Sequence, residues 1–190
     1  IERGLHEGLR FMGFFVTDAS AGTVMGQFPH GFPAWIAIAY GLNGLSGARQ
    51  VVGAWAILGL LAVYFAGARF AGRWAALAAA LLLAVNVAEV WYARYPNSEV
   101  MQQALLFGAL LALARAYRDD DPFFAPVAGV LLGAMMFVRL DSLVVIGIVG
   151  AGLLLVVADG KRLGWRFLLP LAAIVGASAA YFAGPMRAYF

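Results

Sequence analysis

The sequence contains no cysteine, only two histidines and few charged residues. The lack of cysteine excludes disulfides, thiolate metal sites and a cysteine nucleophile, and two histidines cannot build a histidine-rich metal cage. Only 12% of the 190 residues are charged and 64% are hydrophobic, whereas about 25% are charged in a typical soluble domain. Thirteen basic and ten acidic residues cannot cover a soluble globule of this size, so the composition predicts an integral membrane protein.

Other classes of protein are also excluded. Disordered chains are poor in apolar residues, and the net charge of +3 comes from scattered basic residues, which gives no basis for nucleic-acid binding. The soluble catalytic motifs GxxxxGK[ST], HExxH and GxSxG are missing. Residues 1–10 include four charged side chains instead of an apolar run, so we expect no signal peptide there. We expect the sequence to be part of a longer protein, with at least one further span upstream of Ile1.

Six apolar stretches approach the roughly 20 residues that a helix needs to cross a bilayer. They are residues 51–68, 74–92, 99–117, 122–138, 142–158 and 165–183. Short polar segments separate them, so neighbouring helices should run antiparallel. We therefore predict an all-α, polytopic transmembrane bundle with about six spans.

A seventh apolar stretch, residues 34–45, is too short to span and follows a run rich in proline and glycine. Trp35 and Tyr40 suit the headgroup level of a membrane, so we predict a helix lying on the surface or partly re-entrant. A short tilted span is the alternative. The predicted organisation is an external loop segment with short helices (1–33), a juxtamembrane helix (34–47) and a transmembrane domain (48–190).

A surface helix at 34–45 fixes which loops share a side of the membrane. Four basic residues then fall on one side (Arg49, Arg94, Arg139 and Arg187) and seven on the other (Arg69, Arg73, Arg115, Arg118, Lys161, Arg162 and Arg166). The positive-inside rule assigns the second side to the cytoplasm. We expect a multi-pass plasma-membrane protein whose functional face is extracytoplasmic.

Polar residues gather at helix ends on the predicted outer side, and ionisable groups near a membrane are functional candidates. They are His30, Glu89, Arg94, Glu99, Arg139 and Asp141. Glu99 follows the Pro96 break, so it is either a helix-capping carboxylate or a carboxylate that binds a divalent metal or a polar substrate. Arg139 either pairs with Asp141 at the interface or binds an anionic group, because a guanidinium binds phosphate bidentately.

Four further features have simpler interpretations. His30 is either a metal or phosphate ligand or an ordinary polar loop residue. Glu89 lies on the same helix face as Asn86, and we assign this pair no chemical role. We predict that Asp18 caps a turn and that the Gly129–Gly133 GxxxG pattern is a helix-packing signal.

The order and spacing of these features resemble the membrane glycosyltransferases of the GT-C fold. The branch with protein O-mannosyltransferases and bacterial aminoarabinose (lipid A) transferases is the most similar. Its external loop, short juxtamembrane helix and later polar stretches correspond to segments of residues 25–145. Those segments are Phe28-Pro29-His30-Gly31-Phe32-Pro33, the helix from Ala34 to Gly44-Leu45-Ser46-Gly47, Arg94-Tyr95-Pro96-Asn97-Ser98-Glu99 and Phe137-Val138-Arg139-Leu140-Asp141.

The resemblance implies sugar transfer from a polyprenyl-phosphate donor to an extracytoplasmic lipid, glycan or protein acceptor. It implies donor-phosphate contacts from Arg94, Arg139 and His30, and a divalent metal ion held by Glu99 and His30. The catalytic base is expected upstream of Ile1. Two other functions stay open: a transporter, which predicts mid-membrane polar groups and broken helices, and a non-catalytic membrane subunit.

Overall fold

The computed structural model describes residues 10–11, 14–18, 20–26, 29–158 and 165–184. These residues form a small antiparallel sheet followed by seven α-helices. The strands are β1 (Arg10–Phe11), β2 (Phe14–Asp18) and β3 (Thr23–Gly26). The helices are α1 (Gly31–Ala71), α2 (Arg73–Ala84), α3 (Val87–Arg94), α4 (Glu99–Arg118), α5 (Phe124–Ala134, extended by the 3-10 turn Met135–Phe137), α6 (Ser142–Ala158) and α7 (Trp165–Ala183).

Within the part of the external segment that the structure describes, strands are present where we expected short helices. β2 pairs with both β1 and β3, in the order β1-β2-β3, and its aromatic and β-branched residues favour a strand. The turn after β2 is closed by Asp18, whose Oδ1 accepts hydrogen bonds from the Ser20 hydroxyl and the Ala21 N–H. These bonds hold the pKa of Asp18 below its ordinary value. The prediction of a turn cap at Asp18 is confirmed.

The membrane prediction is confirmed in part, but the prediction of six spans is wrong. Among the described residues, α1 and α4 are long and apolar enough to cross a membrane, and α2 with α3 makes a third only if the bent pair is one span. The segment predicted at 122–138 fails because α5 has only 11 residues before its 3-10 turn. In α6 and α7, the apolar stretches within the described side chains are Ser142–Gly152 and Leu168–Tyr181.

The helix α1 is a hairpin of two arms that meet at Asn43 and Gly44. Both residues have non-helical backbone angles, and Gly44 has a positive φ of 55°. Trp35 and Trp55 lie with their ring centroids 5.6 Å apart, whereas 20 residues of straight helix would separate them by about 30 Å. The first arm (31–42) therefore folds back on the second (45–71), which separates the predicted juxtamembrane segment from the span after it.

The second arm of α1 and the helix α4 run in parallel at the centre of the bundle. Gly59 lies against Gln103 and Ala104 near one end, and Arg69 forms an ion pair with Asp119 at the other. The helix α5 packs on α4 and on α7, where a Cβ built on Gly133 would lie 2.6 Å from Ile174 Cβ. The packing role predicted for the GxxxG pattern is thus confirmed at Gly133. We call the two ends of the bundle the Glu99 end and the Arg69 end.

The described helices expose many large apolar side chains. Leu82 is 70% exposed, Val87 84% and Leu42 83%. Soluble monomers rarely expose contiguous apolar surface on this scale, so the outer faces of these helices are suited to contact lipid.

Candidate functional site at the Glu99 end

An ion-pair network joins two loops at the Glu99 end. Arg139 Nη1 donates to Glu99 Oε1 over 2.6 Å. On its other edge, Arg139 Nε donates to Asp141 Oδ1 and Nη2 to Asp141 Oδ2, each over 2.9 Å. One guanidinium therefore bridges a carboxylate from the first turn of α4 and a carboxylate just before α6. We call these three residues the Arg139 network.

Local structure places each member of the network. The Pro96 turn ends α3, and α4 begins at Glu99, where the helix dipole favours a carboxylate. The chain leaves α5 through a 3-10 turn, and the N–H of Arg139 donates to the carbonyl of Met135 over 3.0 Å. This tight turn directs the Arg139 side chain toward the start of α4. Of the two interpretations of Arg139, the structure contains the interfacial pair with Asp141.

The network is partly exposed, and its electrostatics are favourable. The relative exposure of the side chains is 34% for Arg139, 36% for Glu99 and 61% for Asp141. Hydrogen bonds to Arg139 lower the pKa of Asp141, and the bonds to Asp141 and Glu99 raise the pKa of Arg139. The network sets one guanidinium against two carboxyl groups.

His30 lies at the same end but contacts different residues. Its Nδ1 is within hydrogen-bonding distance of the Tyr181 hydroxyl on α7. The adjacent Gly31 is so close to the Phe137 carbonyl that a Cβ would overlap it, and Phe137 is two residues before Arg139. His30, Glu99 and Arg139 therefore share one end of the bundle, but no described hydrogen bond joins His30 to the Arg139 network.

Arg94 is not brought into the network. It is exposed in the last turn of α3, five residues before Glu99. Within the described part of the chain it forms no ion pair. The nearby rings of Trp91 and Tyr95 pack on each other with centroids 4.6 Å apart.

The arrangement does not fit the metal ion that the resemblance implies. No three His, Asp or Glu side chains among the described residues are grouped as metal ligands. Glu99 Oε1 faces a guanidinium, and His30 Nδ1 faces a hydroxyl. The two expected ligands thus have other partners, and we derive no step through a metal.

Buried polar contacts that sequence reasoning missed lie beneath the network. Gln102 Nε2 donates to Ser142 Oγ over 2.7 Å, and Ser142 Oγ donates to the Met135 carbonyl over 2.9 Å. These bonds tie α4 to the start of α6 directly below Glu99 and Arg139. The signal was present in the sequence, because Gln102 and Gln103 are two adjacent amides in an otherwise apolar stretch.

Comparison with protein-family models, with curated proteins and with solved structures gives no match.

Proposed function

We propose that this chain is part of a membrane glycosyltransferase that transfers a sugar from a polyprenyl-phosphate donor to an acceptor on the extracytoplasmic side of the plasma membrane. The observation that carries the proposal is Arg139, whose guanidinium is held by Glu99 at the end of apolar helices. A polyprenyl phosphate needs apolar surface for its tail and a cation at the interface for its leaving group.

The bidentate contact between Arg139 and Asp141 supports a phosphate role for this arginine. A phosphate presents the same pair of oxygens to a guanidinium as a carboxylate does. Asp141 is the most exposed member of the network, so it is the group that a donor phosphate would displace. We assign Arg139 as the phosphate-binding residue and Asp141 as its partner in the absence of donor.

Glu99 has a different role in this proposal from the metal ligand that we expected. Its 2.6 Å hydrogen bond to Nη1 leaves the Nε and Nη2 edge of Arg139 facing Asp141. Glu99 is therefore a positioning residue that keeps the phosphate-binding edge in place. His30 and Tyr181 lie at the same end and are proposed to contact the donor headgroup, while Arg94 supplies positive charge on the approach from solution.

A sugar-transfer assay tests this function. Because the catalytic base is expected upstream of Ile1, the assay uses membranes containing the longer protein to which we expect this chain to belong. They are supplied with a panel of radiolabelled polyprenyl-phosphate sugars, and labelled acceptor is extracted and counted. We expect transfer from at least one donor by the wild type and a loss of about tenfold or more in Arg139→Lys, since lysine cannot bind phosphate bidentately. Arg49→Lys, an exposed arginine near the same end, is the matched control and should retain activity. Absence of transfer from every donor would reject the proposal.

A transporter is the second candidate, because one structural feature favours it. The helices α2 and α3 are bent by 62° at a short break, where Asn86 caps α3 by accepting a hydrogen bond from the Ala88 N–H. Behind the break, Glu89 is only 8% exposed and accepts a hydrogen bond from Gln103 Nε2 over 3.1 Å. Broken helices with buried polar groups are typical of transport sites.

Uptake into sealed vesicles separates the two functions. A transporter accumulates an unmodified solute, and Glu89→Gln should abolish that accumulation. A glycosyltransferase modifies an acceptor, and Glu89→Gln should leave the sugar-transfer rate near that of the wild type, because Glu89 is outside the Arg139 network.

A further inference from the structure

A cavity of about 280 Å³ opens between α1 and α4 at the Arg69 end, the opposite end from the Arg139 network. Its walls are the apolar side chains of Phe65, Ala68 and Leu111, and two arginines line it, Arg69 and Arg115. The cavity therefore combines an apolar wall with two guanidinium groups. Among the residues that the structure describes, no acidic side chain lines it.

Arg115 is the more informative of the two arginines. Its Nε is buried and has no hydrogen-bond partner in the described part of the chain, and its guanidinium lies 4.8 Å from the ring centroid of Phe124. A buried charged donor without an acceptor is unfavourable. Arg115 also lines the cavity, and within the described part of the chain it forms no ion pair, so an anionic group in the cavity would be the counter-ion of its guanidinium.

The surroundings hold Arg69 in place without filling the cavity. Arg69 Nη1 donates to Asp119, and Arg118 donates to the backbone carbonyl of Arg69. These contacts fix the end of α1 to the end of α4. Nearby, Asp121 is engaged in the turn, where its Oδ1 accepts a hydrogen bond from the Phe123 N–H.

We propose that this cavity binds a phosphate group, carried either by an anionic phospholipid or by free phosphate. Two guanidiniums provide the charge-assisted hydrogen bonds that phosphate oxygens accept. Basic pockets between helices at a membrane surface are known to suit lipid headgroups, and the wall of Phe65 and Leu111 is suited to an acyl chain. The site is independent of the proposed glycosyltransferase function, because it lies at the other end of the bundle.

Thermal unfolding of the purified full chain in detergent tests the proposal. The protein is stripped of lipid and titrated separately with phosphatidylglycerol, phosphatidylcholine and inorganic phosphate, and tryptophan fluorescence reports the Tm. We expect phosphatidylglycerol or inorganic phosphate to raise the Tm saturably, and phosphatidylcholine to have no effect. Stabilisation by phosphatidylglycerol alone identifies the lipid as the source, whereas equal stabilisation by inorganic phosphate identifies the free anion.

Variants establish where the anion binds. Arg115→Gln should weaken the apparent affinity by about tenfold or more. Leu111→Trp should do the same by filling the cavity without changing charge, which provides a second route if Arg115→Gln unfolds. Arg73→Gln is the matched control, because Arg73 is exposed near the same end and lies over Trp74. Failure of both anions to stabilise the wild type, or wild-type affinity in both cavity variants, would overturn the proposal.

Discussion

Arg139 and Glu99, 40 residues apart in the sequence, meet through a 2.6 Å hydrogen bond between Nη1 and Oε1. The contact joins the turn after α5 to the first turn of α4. Because Arg139 also holds Asp141 with its other edge, a single guanidinium ties the start of α4 to the loop between α5 and α6.

Removing the positioning carboxylate should impair donor binding more than folding. In Glu99→Gln the amide oxygen still accepts a hydrogen bond, but the charge that orients Arg139 is lost. We expect the Tm to change little, since exposed ion pairs contribute about 0–1 kcal/mol, and the KM for donor to rise. A KM for donor and a donor affinity equal to those of the wild type would leave Glu99 with a purely capping role.

The stability contributed by Asp141 should depend on pH in one direction. Arg139 lowers the pKa of Asp141 below its ordinary value of about 3.9, so the carboxylate binds protons less readily in the folded state. The contribution is therefore fully present above about pH 4 and is lost as the pH falls through the lowered pKa. Because Asp141 is 61% exposed, we expect at most about 1 kcal/mol.

Comparison of wild type with Asp141→Asn by denaturant unfolding at several pH values measures this effect. The difference in unfolding free energy should be constant from pH 5 to pH 7 and should shrink at lower pH. A difference that instead grows as the pH falls would contradict the assigned ionisation.

The hairpin in α1 should depend on a glycine at its bend. Gly44 has φ 55° and ψ −147°, a conformation that non-glycine residues adopt only with strain of about 1–3 kcal/mol. Gly44→Ala should lower the Tm accordingly. Gly41→Ala, in the same arm and with open space around it, is the control and should leave the Tm unchanged or slightly raised. Equal Tm values for both variants would argue against the bend.

Close packing of α5 on α7 gives a second stability prediction. A methyl group on Gly133 would meet Ile174 Cβ at 2.6 Å, and overpacking of this kind costs about 1–3 kcal/mol. We expect Gly133→Ala to destabilise the protein in thermal unfolding. Gly176→Ala, on α7 with nothing within 4 Å, should be neutral, and an equally large loss there would place the cause elsewhere.

The sequence predicted the positions of helix ends better than the lengths of helices. Pro96 and the charged residues around Arg139 mark where the chain turns, so Glu99 and Arg139 were both expected at one end. Their contact was not predictable, because it depends on how α4 and α5 pack. The 3-10 turn at Met135–Phe137 shortens an apolar run that reads as a span, and composition alone does not reveal such a turn.

The partners of His30 and Glu99, and the strands of the small sheet, are two further features that the sequence alone does not predict. The resemblance implies a metal ion held by His30 and Glu99, whereas tertiary packing gives each a different partner, Tyr181 and Arg139. The strands between Arg10 and Gly26 are two to five residues long, which is too short for a clear alternating pattern. Long-range pairing, rather than local propensity, decides both features.

Binding of undecaprenyl phosphate to the protein in nanodiscs tests the central claim most directly. Wild type should bind the lipid saturably, and Arg139→Ala should bind it about tenfold or more weakly, while Arg49→Ala binds like the wild type. Unchanged affinity in a folded Arg139→Ala would contradict the claim that Arg139 holds the donor phosphate.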